Sequence, residues 1–353
     1  MRISSEGLNL IAAAALAFAV SPAVADFMSQ PGVPSAYGTQ YATDAFPGFD
    51  REDEIIAPSK KTPRLFSWWN GPEKGDATAQ FAWALSLEEK EKWSAAAKEY
   101  DALVREWPLA DEAPRAQSAL ARILRDNVGD YEGAFEEYRY LLDYYPTRCE
   151  FDAVARELYE TAKLMRSTGK RWVFWRFANT IDVRRAYEAV VLRAPGAPFA
   201  AEAMYAICEL RVDEEEYDKA VEVCENLRNL YPLSAEAKSS LRLEAEVRMR
   251  QLRTHEYNRL RCEDTLKFLN AALATPLDTV TKNEFMAWRD EAVGHIEDEA
   301  FAAARFYDSK TRTRRGAISA YERFLSEYPA SRHVEEARAR LDALKGAVKE
   351  ATK

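Results

Sequence analysis

Histidine and cysteine are scarce in this 353-residue sequence, and the few present form no catalytic or metal-binding pattern. The three histidines, His255, His295 and His333, lie far apart among charged residues, so we expect them at exposed helix positions. The four cysteines show no CxxC spacing, and no HExxH, GxSxG, Walker A or GxGxxG pattern occurs. We therefore predict a protein that is not an enzyme and has no cofactor or metal site. An all-helical hydrolase with a carboxylate pair is the enzymatic alternative, although no particular pair stands out.

Glycine and positive charge are also in short supply. The chain has 13 glycines and a net charge of −9 from 49 basic and 58 acidic residues. Nucleic-acid-binding proteins usually present a basic face, so we expect no nucleic-acid partner. Little glycine, abundant Ala, Glu, Arg and Leu, and few alternating β-branched residues favour helices over strands. The composition predicts an all-α protein.

The apolar run at residues 8–20 is too short to span a bilayer, which takes about 20 residues. Arg2 precedes it, and Ala23-Val24-Ala25 follows it as a small-x-small cleavage site. We predict a signal peptide at residues 1–25 and export from the cytoplasm; an uncleaved apolar N-terminal helix is the alternative. No cysteine occurs before Cys149, so no lipid-attachment cysteine follows the predicted signal.

Residues 26–76 are rich in Pro, Gly, Ser and Thr and show no helical period, which predicts a flexible leader. Its one aromatic cluster lies at residues 65–69, LFSWW. This cluster is either a short recognition segment or an N-terminal cap that packs on the first hairpin. We favour the cap, because exposed aromatic clusters are uncommon.

An alanine, an aromatic residue and a proline recur at one spacing along the rest of the chain. In residues 314–329, RRGAISAYERFLSEYP, Ala317 and Tyr321 lie 12 and 8 residues before Pro329. Three further copies of the frame are Ala96, Tyr100, Pro108; Ala134, Tyr138, Pro146; and Ala220, Cys224, Pro232. In a helical hairpin the alanine lets two helices approach closely, the aromatic ring fills the gap, and the proline ends the helix. Four copies in register predict stacked hairpins of the tetratricopeptide type.

The predicted fold is an all-α, right-handed tetratricopeptide superhelix of about five hairpins plus a C-terminal capping helix, over residues 77–349. Five predicted hairpins are regular, and a sixth, at residues 235–276, is degenerate. The regular ones are 77–108, 112–146, 151–195, 199–232 and 282–329. Stacked first helices of such an array would form a groove that holds an extended peptide.

The third hairpin contains an insertion, KRWVFWRFAN at residues 170–179, that departs from the repeat. Trp172, Trp175 and Phe177, together with Arg171 and Arg176, are a candidate protein-binding patch. Alternatively, the aromatic rings fill the seam left by a lengthened loop, or the segment lies on a membrane surface.

Two features of hairpin 199–232 have simple interpretations. Cys208 and Cys224 are expected on its facing helices, where an oxidising compartment would allow a disulfide. Packing as two small apolar side chains is the simpler interpretation. The acidic run at residues 213–216, DEEE, is expected to be a solvated turn between the helices.

The last repeat resembles a known family. An acidic-apolar helix ends in ARFY at residues 304–307, and the next helix ends in YPAS at residues 328–331. This segment resembles the closing part of the outer-membrane β-barrel assembly lipoproteins, the BamD-like family. The resemblance covers residues from about 77 to 345. It is supported by the number of hairpins, by the long helices before the last repeat and by the export signal. The sequence departs from the family in its missing lipid-attachment cysteine, and RTRR at residues 312–315 replaces a glycine-bearing turn.

The resemblance implies a periplasmic scaffold at the outer membrane. Its later hairpins would bind the barrel insertase and its earlier hairpins unfolded outer-membrane protein segments, with membrane association peripheral and through partners. We therefore predict a non-enzymatic scaffold in outer-membrane β-barrel assembly. The alternative is a periplasmic tetratricopeptide adaptor in cell-wall synthesis or division. Such adaptors usually carry an N-terminal coiled coil, and residues 26–76 contain no heptads.

Overall fold

The computed structural model describes residues 46, 48–49, 71–169, 179–254, 258–310 and 314–351. All regular structure in these ranges is helical, which confirms the predicted all-α class. The helices are α1 (Ala77–Glu89), α2 (Trp93–Glu106), α3 (Ala113–Ile123), α4 (Tyr131–Tyr144), α5 (Phe151–Gly169), α6 (Asn179–Arg193), α7 (Ala200–Asp213), α8 (Tyr217–Leu230), α9 (Ala235–Thr254), α10 (Arg259–Leu273), α11 (Thr279–Lys310), α12 (Arg314–Glu327) and α13 (Val334–Ala351). A π-helical turn, Leu124–Val128, continues α3. The predicted signal peptide and residues 65–69 lie outside the described residues.

The described residues form two compact units, divided between Ser240 and Leu241. In the first unit each helix packs on the next from α1 to α8. We call the pairs α1/α2, α3/α4, α5/α6 and α7/α8 hairpins 1 to 4. In the second unit α10 packs on α11, α11 pairs with α12 as the last hairpin, and α13 packs on α12. Together with the repeat geometry described next, these pairs confirm the predicted tetratricopeptide fold.

The alanine and aromatic positions of the repeat frame are core positions in every copy. Ala96, Ala134, Ala220 and Ala317 are buried, and so are Tyr100, Tyr138, Cys224 and Tyr321. The second helix of each of these hairpins ends two residues before the closing proline of the frame. The proline has no N–H to donate and disfavours helix in the residue before it, so the chain leaves the helix at this point.

A charged residue near the end of the first helix connects several hairpins to the helix that follows. Glu88 accepts a hydrogen bond from the Tyr100 hydroxyl at 3.0 Å and pairs with Arg122 of α3. Arg125 lies 5.6 Å from the Tyr138 ring centre and pairs with Glu157 of α5. The same pattern recurs where Arg166 pairs with Glu209 and where Asp308 pairs with Arg340. We call these contacts the forward ion pairs.

Two tyrosine hydroxyls also donate hydrogen bonds to the hairpin that precedes their own in the chain. The Tyr145 hydroxyl donates to the carbonyl of Pro108 at 2.8 Å, and the Tyr231 hydroxyl donates to the carbonyl of Pro195 at 2.6 Å. Each tyrosine directly precedes the closing proline of its own hairpin. The phenol therefore satisfies a carbonyl that the end of the preceding hairpin leaves outside its helix.

The second unit has two apolar clusters. One contains Ala245 and Met249 of α9, Leu269 of α10 and Phe285 of α11. Side chains of α9 and α10 thus share one apolar cluster with α11. The other cluster joins α11, α12 and α13 through side chains that include Phe301, Ala317, Tyr321, Phe324 and Leu341.

The two histidines that the structure describes, His295 and His333, do not occupy the exposed helix positions expected from the sequence. His333 precedes α13, and its ring stacks on Phe301 with centroids 4.4 Å apart. Its Nε2 lies 2.7 Å from Asp298 Oδ1. His295 is half-buried on α11, and His255 lies outside the described residues. The expectation fails because the neighbouring charges form ion pairs beside His333, which leaves the ring free to cover the apolar surface of Phe301.

Among the helices that the structure describes, none combines the length and apolar character needed to cross a membrane.

Candidate peptide-binding site

Hairpin 4 departs from the repeat at Cys224, which takes the place of the tyrosine. The charged residue 13 positions earlier, at the place of Arg125 in hairpin 2, is Arg211 near the end of α7. Its side chain is completely buried. The smaller thiol occupies the core position where a tyrosine ring stands elsewhere, and Arg211 reaches a different set of partners.

Arg211 belongs to a cluster of five charged residues, which we call the arginine cluster: Arg184, Glu188, Arg211, Glu214 and Glu216. The first four side chains are at most 11% exposed, and that of Glu216 is 38% exposed. Arg184 forms ion pairs with Glu188 and Glu214, each with an N–O distance of 2.8 Å. Arg211 forms an ion pair with Glu188, with an N–O distance of 3.0 Å. Arg211 also pairs with Glu216. Buried charges are tolerated when they are paired and hydrogen-bonded in this way.

The arginine cluster corrects the interpretation of residues 213–216 as a solvated acidic turn. Asp213 and Glu215 are exposed, but the side chain of Glu214 is only 11% exposed and bonds Arg184. Burial acts to raise the pKa of Glu216. The charge of Arg211, with hydrogen bonds from Arg211 and Lys219, outweighs burial and holds this pKa below its usual value. Two of the four acidic residues thus neutralise arginines of the core, which charge counting along the sequence could not show.

Three residues of the predicted leader lie against hairpin 4. Arg211 donates a hydrogen bond from Nη2 to the carbonyl oxygen of Gly48 at 2.6 Å. Phe46 is only 2% exposed, and its ring stacks on that of Phe49 with centroids 5.1 Å apart. The sequence analysis predicts a flexible segment here, so this contact corrects that expectation for Phe46, Gly48 and Phe49. The leader dock is the name we use for Phe46, Gly48 and Phe49 with the parts of α7 and α8 that they touch.

The docked residues form a tight turn. The amide of Phe49 donates to the carbonyl of Phe46 at 3.1 Å, which closes a four-residue turn. Gly48 has φ +84°, the left-handed value required at the third position of a type II turn, and the sequence places Pro47 at the favoured second position. The turn brings both phenylalanines to one end and points the Gly48 carbonyl at Arg211.

Gly48 also fits against α8 without room for a side chain. A Cβ at this position would lie 2.6 Å from Val223 Cγ2 and 2.8 Å from the carbonyl oxygen of Lys219. Backbone atoms of a helix do not yield as a flexible side chain does. The site therefore requires glycine for two reasons: the positive φ disfavours other residues, and there is no room for a Cβ atom.

The chemistry of the leader dock is that of recognition. It offers a buried guanidinium to a backbone carbonyl and a close backbone approach for glycine, and the Phe46 ring of the bound turn is buried. Within the described ranges, no group of three His, Cys, Asp or Glu side chains is placed to hold a metal ion.

The site residues predicted from the sequence fall into two groups, of which the structure describes only one. Trp172, Trp175, Phe177, Arg171 and Arg176 lie outside the described residues, so the candidate patch stays a prediction. Cys208 and Cys224 are both buried thiols on α7 and α8. No observation tests whether they become oxidised, and the disulfide also stays a prediction.

The sequence does contain signals for the site that was missed. Phe46 to Phe49 read FPGF, and a Pro-Gly pair between aromatic residues is a strong type II turn signal. Cys224 interrupts the tyrosine frame at the hairpin that receives this turn. What the sequence lacks is any indication that these two features, about 175 residues apart, meet in space.

The chain is a tetratricopeptide array, and proteins of this class are typically non-catalytic scaffolds that bind other proteins. No family model and no curated protein matches the sequence. Among solved structures, it is similar to a tetratricopeptide repeat protein from Parabacteroides merdae, with 13% identity over 76% of this chain and 98% of that one, and a TM-score of 0.29. It is also similar to a double mutant of MamA RS-1, with 16% identity over 56% of this chain and 97% of that one, and a TM-score of 0.27. A third similar structure is the TPR2AB domain of yeast Sti1 in complex with pHSP90, with 15% identity over 62% of this chain and 86% of that one, and a TM-score of 0.26. Because these TM-scores are all below 0.5, the fold class rests on the hairpins themselves.

Proposed function

We propose that the protein is an exported, non-enzymatic scaffold that binds protein partners in outer-membrane β-barrel assembly. The observation that carries the binding role is the leader dock, where hairpin 4 holds a peptide turn through a buried arginine and a close contact of α8 with Gly48. The predicted signal at residues 1–25 supports the location. The resemblance of the last repeat to the BamD-like family supports the assembly role.

In this proposal the protein works in the periplasm and meets the outer membrane only through its partners. The barrel insertase binds the later hairpins, where Phe306 and Tyr307 of the family-like ARFY stretch are 58% and 49% exposed. Exposed aromatic side chains on a helix are suited to a protein interface, since such rings are enriched there. Unfolded outer-membrane protein segments bind the earlier hairpins.

The experiment is mild cross-linking of envelope fractions from the native host, followed by capture of the protein and mass-spectrometric identification of its partners. We expect the barrel insertase among the cross-linked proteins. A Phe306→Ala, Tyr307→Ala variant should lose it, while a Leu260→Ala variant, changed at another exposed apolar residue, should retain it.

Two results would overturn the assembly role. Recovery of cell-wall synthases or division proteins in place of the insertase would establish the adaptor alternative. A protein that emerges without any envelope partner would leave no support for either role. Edman sequencing of the captured protein is expected to begin at Asp26, and an intact N-terminus would contradict the predicted signal cleavage.

A further inference from the structure

The structure assigns a ligand class to hairpin 4: a β-turn with a glycine at its third position and an aromatic residue at each end. We propose that the leader is a built-in copy of this ligand, which occupies the site in cis and must be displaced before a partner carrying the same turn can bind. This inference rests on the proposed function as a protein-binding scaffold and names what one of its sites recognises.

The first argument is that the contact is specific. The close approach of Gly48 to Val223 and to the Lys219 carbonyl admits no side chain, and the φ of +84° is strained for every residue except glycine. A surface loop that merely rested on the array would not need a glycine against a helix backbone. The fit resembles the selection that a binding pocket exerts on its ligand.

The second argument is chemical. Nη2 of Arg211 donates to the Gly48 carbonyl from a side chain that is completely buried. Glu188 accepts a hydrogen bond from the same Nη2 at 3.0 Å, and Glu216 pairs with Nη1, so carboxylates hold both terminal nitrogens of the guanidinium. An arginine fixed in this way can donate a hydrogen bond to the backbone carbonyl of any peptide that reaches it. Hydrogen bonds from charged donors are stronger than those between neutral groups.

The third argument concerns occupancy. The docked turn belongs to the same chain, and 21 residues separate Phe49 from Gly71 at the start of the described array. A ligand joined by a short tether competes at an effective concentration on the order of millimolar. A free partner therefore binds weakly until the leader is released, which makes the leader a regulator of the site.

The test uses a fluorescent peptide of residues 43–52, TDAFPGFDRE, and measures its binding to the full chain by anisotropy. The comparison is with a full-chain variant, Phe46→Ala with Phe49→Ala, whose own leader no longer fits the site. We expect the variant to bind the peptide at least about tenfold more tightly than the unchanged chain. Both substitutions lie outside every hairpin, and circular dichroism should show unchanged helicity.

A matched peptide with Gly48→Ala is the control for specificity. It differs by one methyl group and should bind the variant at least about tenfold more weakly than the parent peptide. As a second way of releasing the leader, Gly48→Ala in the full chain should raise the affinity for the parent peptide in the same direction as the double variant.

Equal affinity of the unchanged chain and both leader variants would overturn the proposal, as would failure of both leader variants to bind the parent peptide. Equal binding of the glycine and alanine peptides would remove the assigned ligand class. Because the test uses purified chain and peptide only, its failure leaves the envelope cross-linking result untouched, and failure of the cross-linking leaves this test untouched.

Discussion

Hairpin 4 and the last hairpin carry the same repeat frame and use it differently. In the last hairpin, Tyr321 fills the gap between the helices and its hydroxyl lies 3.4 Å from Asp308, which pairs with Arg340. In hairpin 4, Cys224 occupies the equivalent place, and Arg211 bonds a carbonyl from the leader. One hairpin uses its charged position to hold the next helix, and the other uses it to hold a peptide.

The difference teaches that changes at two positions of a repeat can convert a structural contact into a recognition contact. The backbone frame is preserved, since Ala220 and Ala317 are both buried and both second helices end two residues before a proline. The aromatic position differs, and the charged position holds Arg211 in hairpin 4 and Asp308 in the last hairpin. Exceptions to a repeat pattern are thus informative positions for function.

The largest expected effect is at Arg211. Arg211→Gln removes one buried partner from the arginine cluster, so we expect unfolding of hairpin 4 to become easier by about 3 to 5 kcal/mol. The comparison is Arg340→Gln on α13, which removes the partner of Asp308 in the last hairpin; this side chain is 53% exposed, and its loss should cost about 1 kcal/mol or less. Hydrogen exchange measured hairpin by hairpin in a urea series compares the two, and equal losses would contradict the distinction between the hairpins.

The next largest loss of stability is expected at the alanine where the two helices of a hairpin cross, a position that is present in both hairpins. Ala317 is buried between α11 and α12, so Ala317→Trp should overpack the crossing and destabilise the last hairpin by about 3 kcal/mol. Ser319→Trp on the exposed side of the same helix is the control. Thermal unfolding followed by circular dichroism should change for the first variant only, and an unchanged profile for Ala317→Trp would refute the assigned register.

A smaller effect is expected from restoring the tyrosine in hairpin 4. Cys224→Tyr places a phenol near Arg211 in a fully buried position, which should cost about 1 to 3 kcal/mol and loosen the leader dock. The Phe49 amide, which donates to Phe46, should exchange its proton faster in this variant. Cys208→Ser is the matched change at the other buried thiol, and accelerated exchange in both variants alike would argue against a special role for position 224.

The smallest effect that we predict is a pH dependence at Asp298 in the second unit. A hydrogen bond from Arg332, followed by one from His333, lowers the pKa of Asp298 despite partial burial. A lowered folded-state pKa contributes stability above the unfolded value of about 3.9 that is lost as the pH falls through the folded value. We expect a loss of at most about 1 kcal/mol below pH 4, because the side chain is partly exposed.

Asp298→Asn tests this dependence. The unfolding free energy of the unchanged chain, measured in urea between pH 6 and pH 3, should fall more steeply than that of the variant. Parallel curves would show that Asp298 and its partners contribute nothing measurable.

Much of the architecture could be predicted from the sequence. Alanine, tyrosine and proline at fixed spacing report local packing and helix termination, and these depend on residues within one hairpin. The positions of Ala96, Tyr138 and Pro146 in the structure follow from that local logic. The all-α tetratricopeptide class could be inferred for the same reason.

The site could not be predicted, because it depends on contacts between distant parts of the chain. The acidic neighbours of Glu214 predict an exposed side chain, yet Arg184, 30 residues earlier, pairs with it. The composition around Gly48 predicts a flexible leader, yet Arg211, 163 residues later, bonds its carbonyl. Burial of charge is a property of the folded array, and composition along the chain does not report it.

The most direct test of the leader dock is photo-cross-linking from position 49 in the full-length protein. Benzoylphenylalanine in place of the half-buried Phe49 should cross-link within the chain to peptides of α7 and α8. The added substitution Gly48→Ala should abolish that cross-link. If the probe reacts elsewhere, or if the cross-link to hairpin 4 persists unchanged in the chain that carries Gly48→Ala, hairpin 4 does not hold the turn and the account fails.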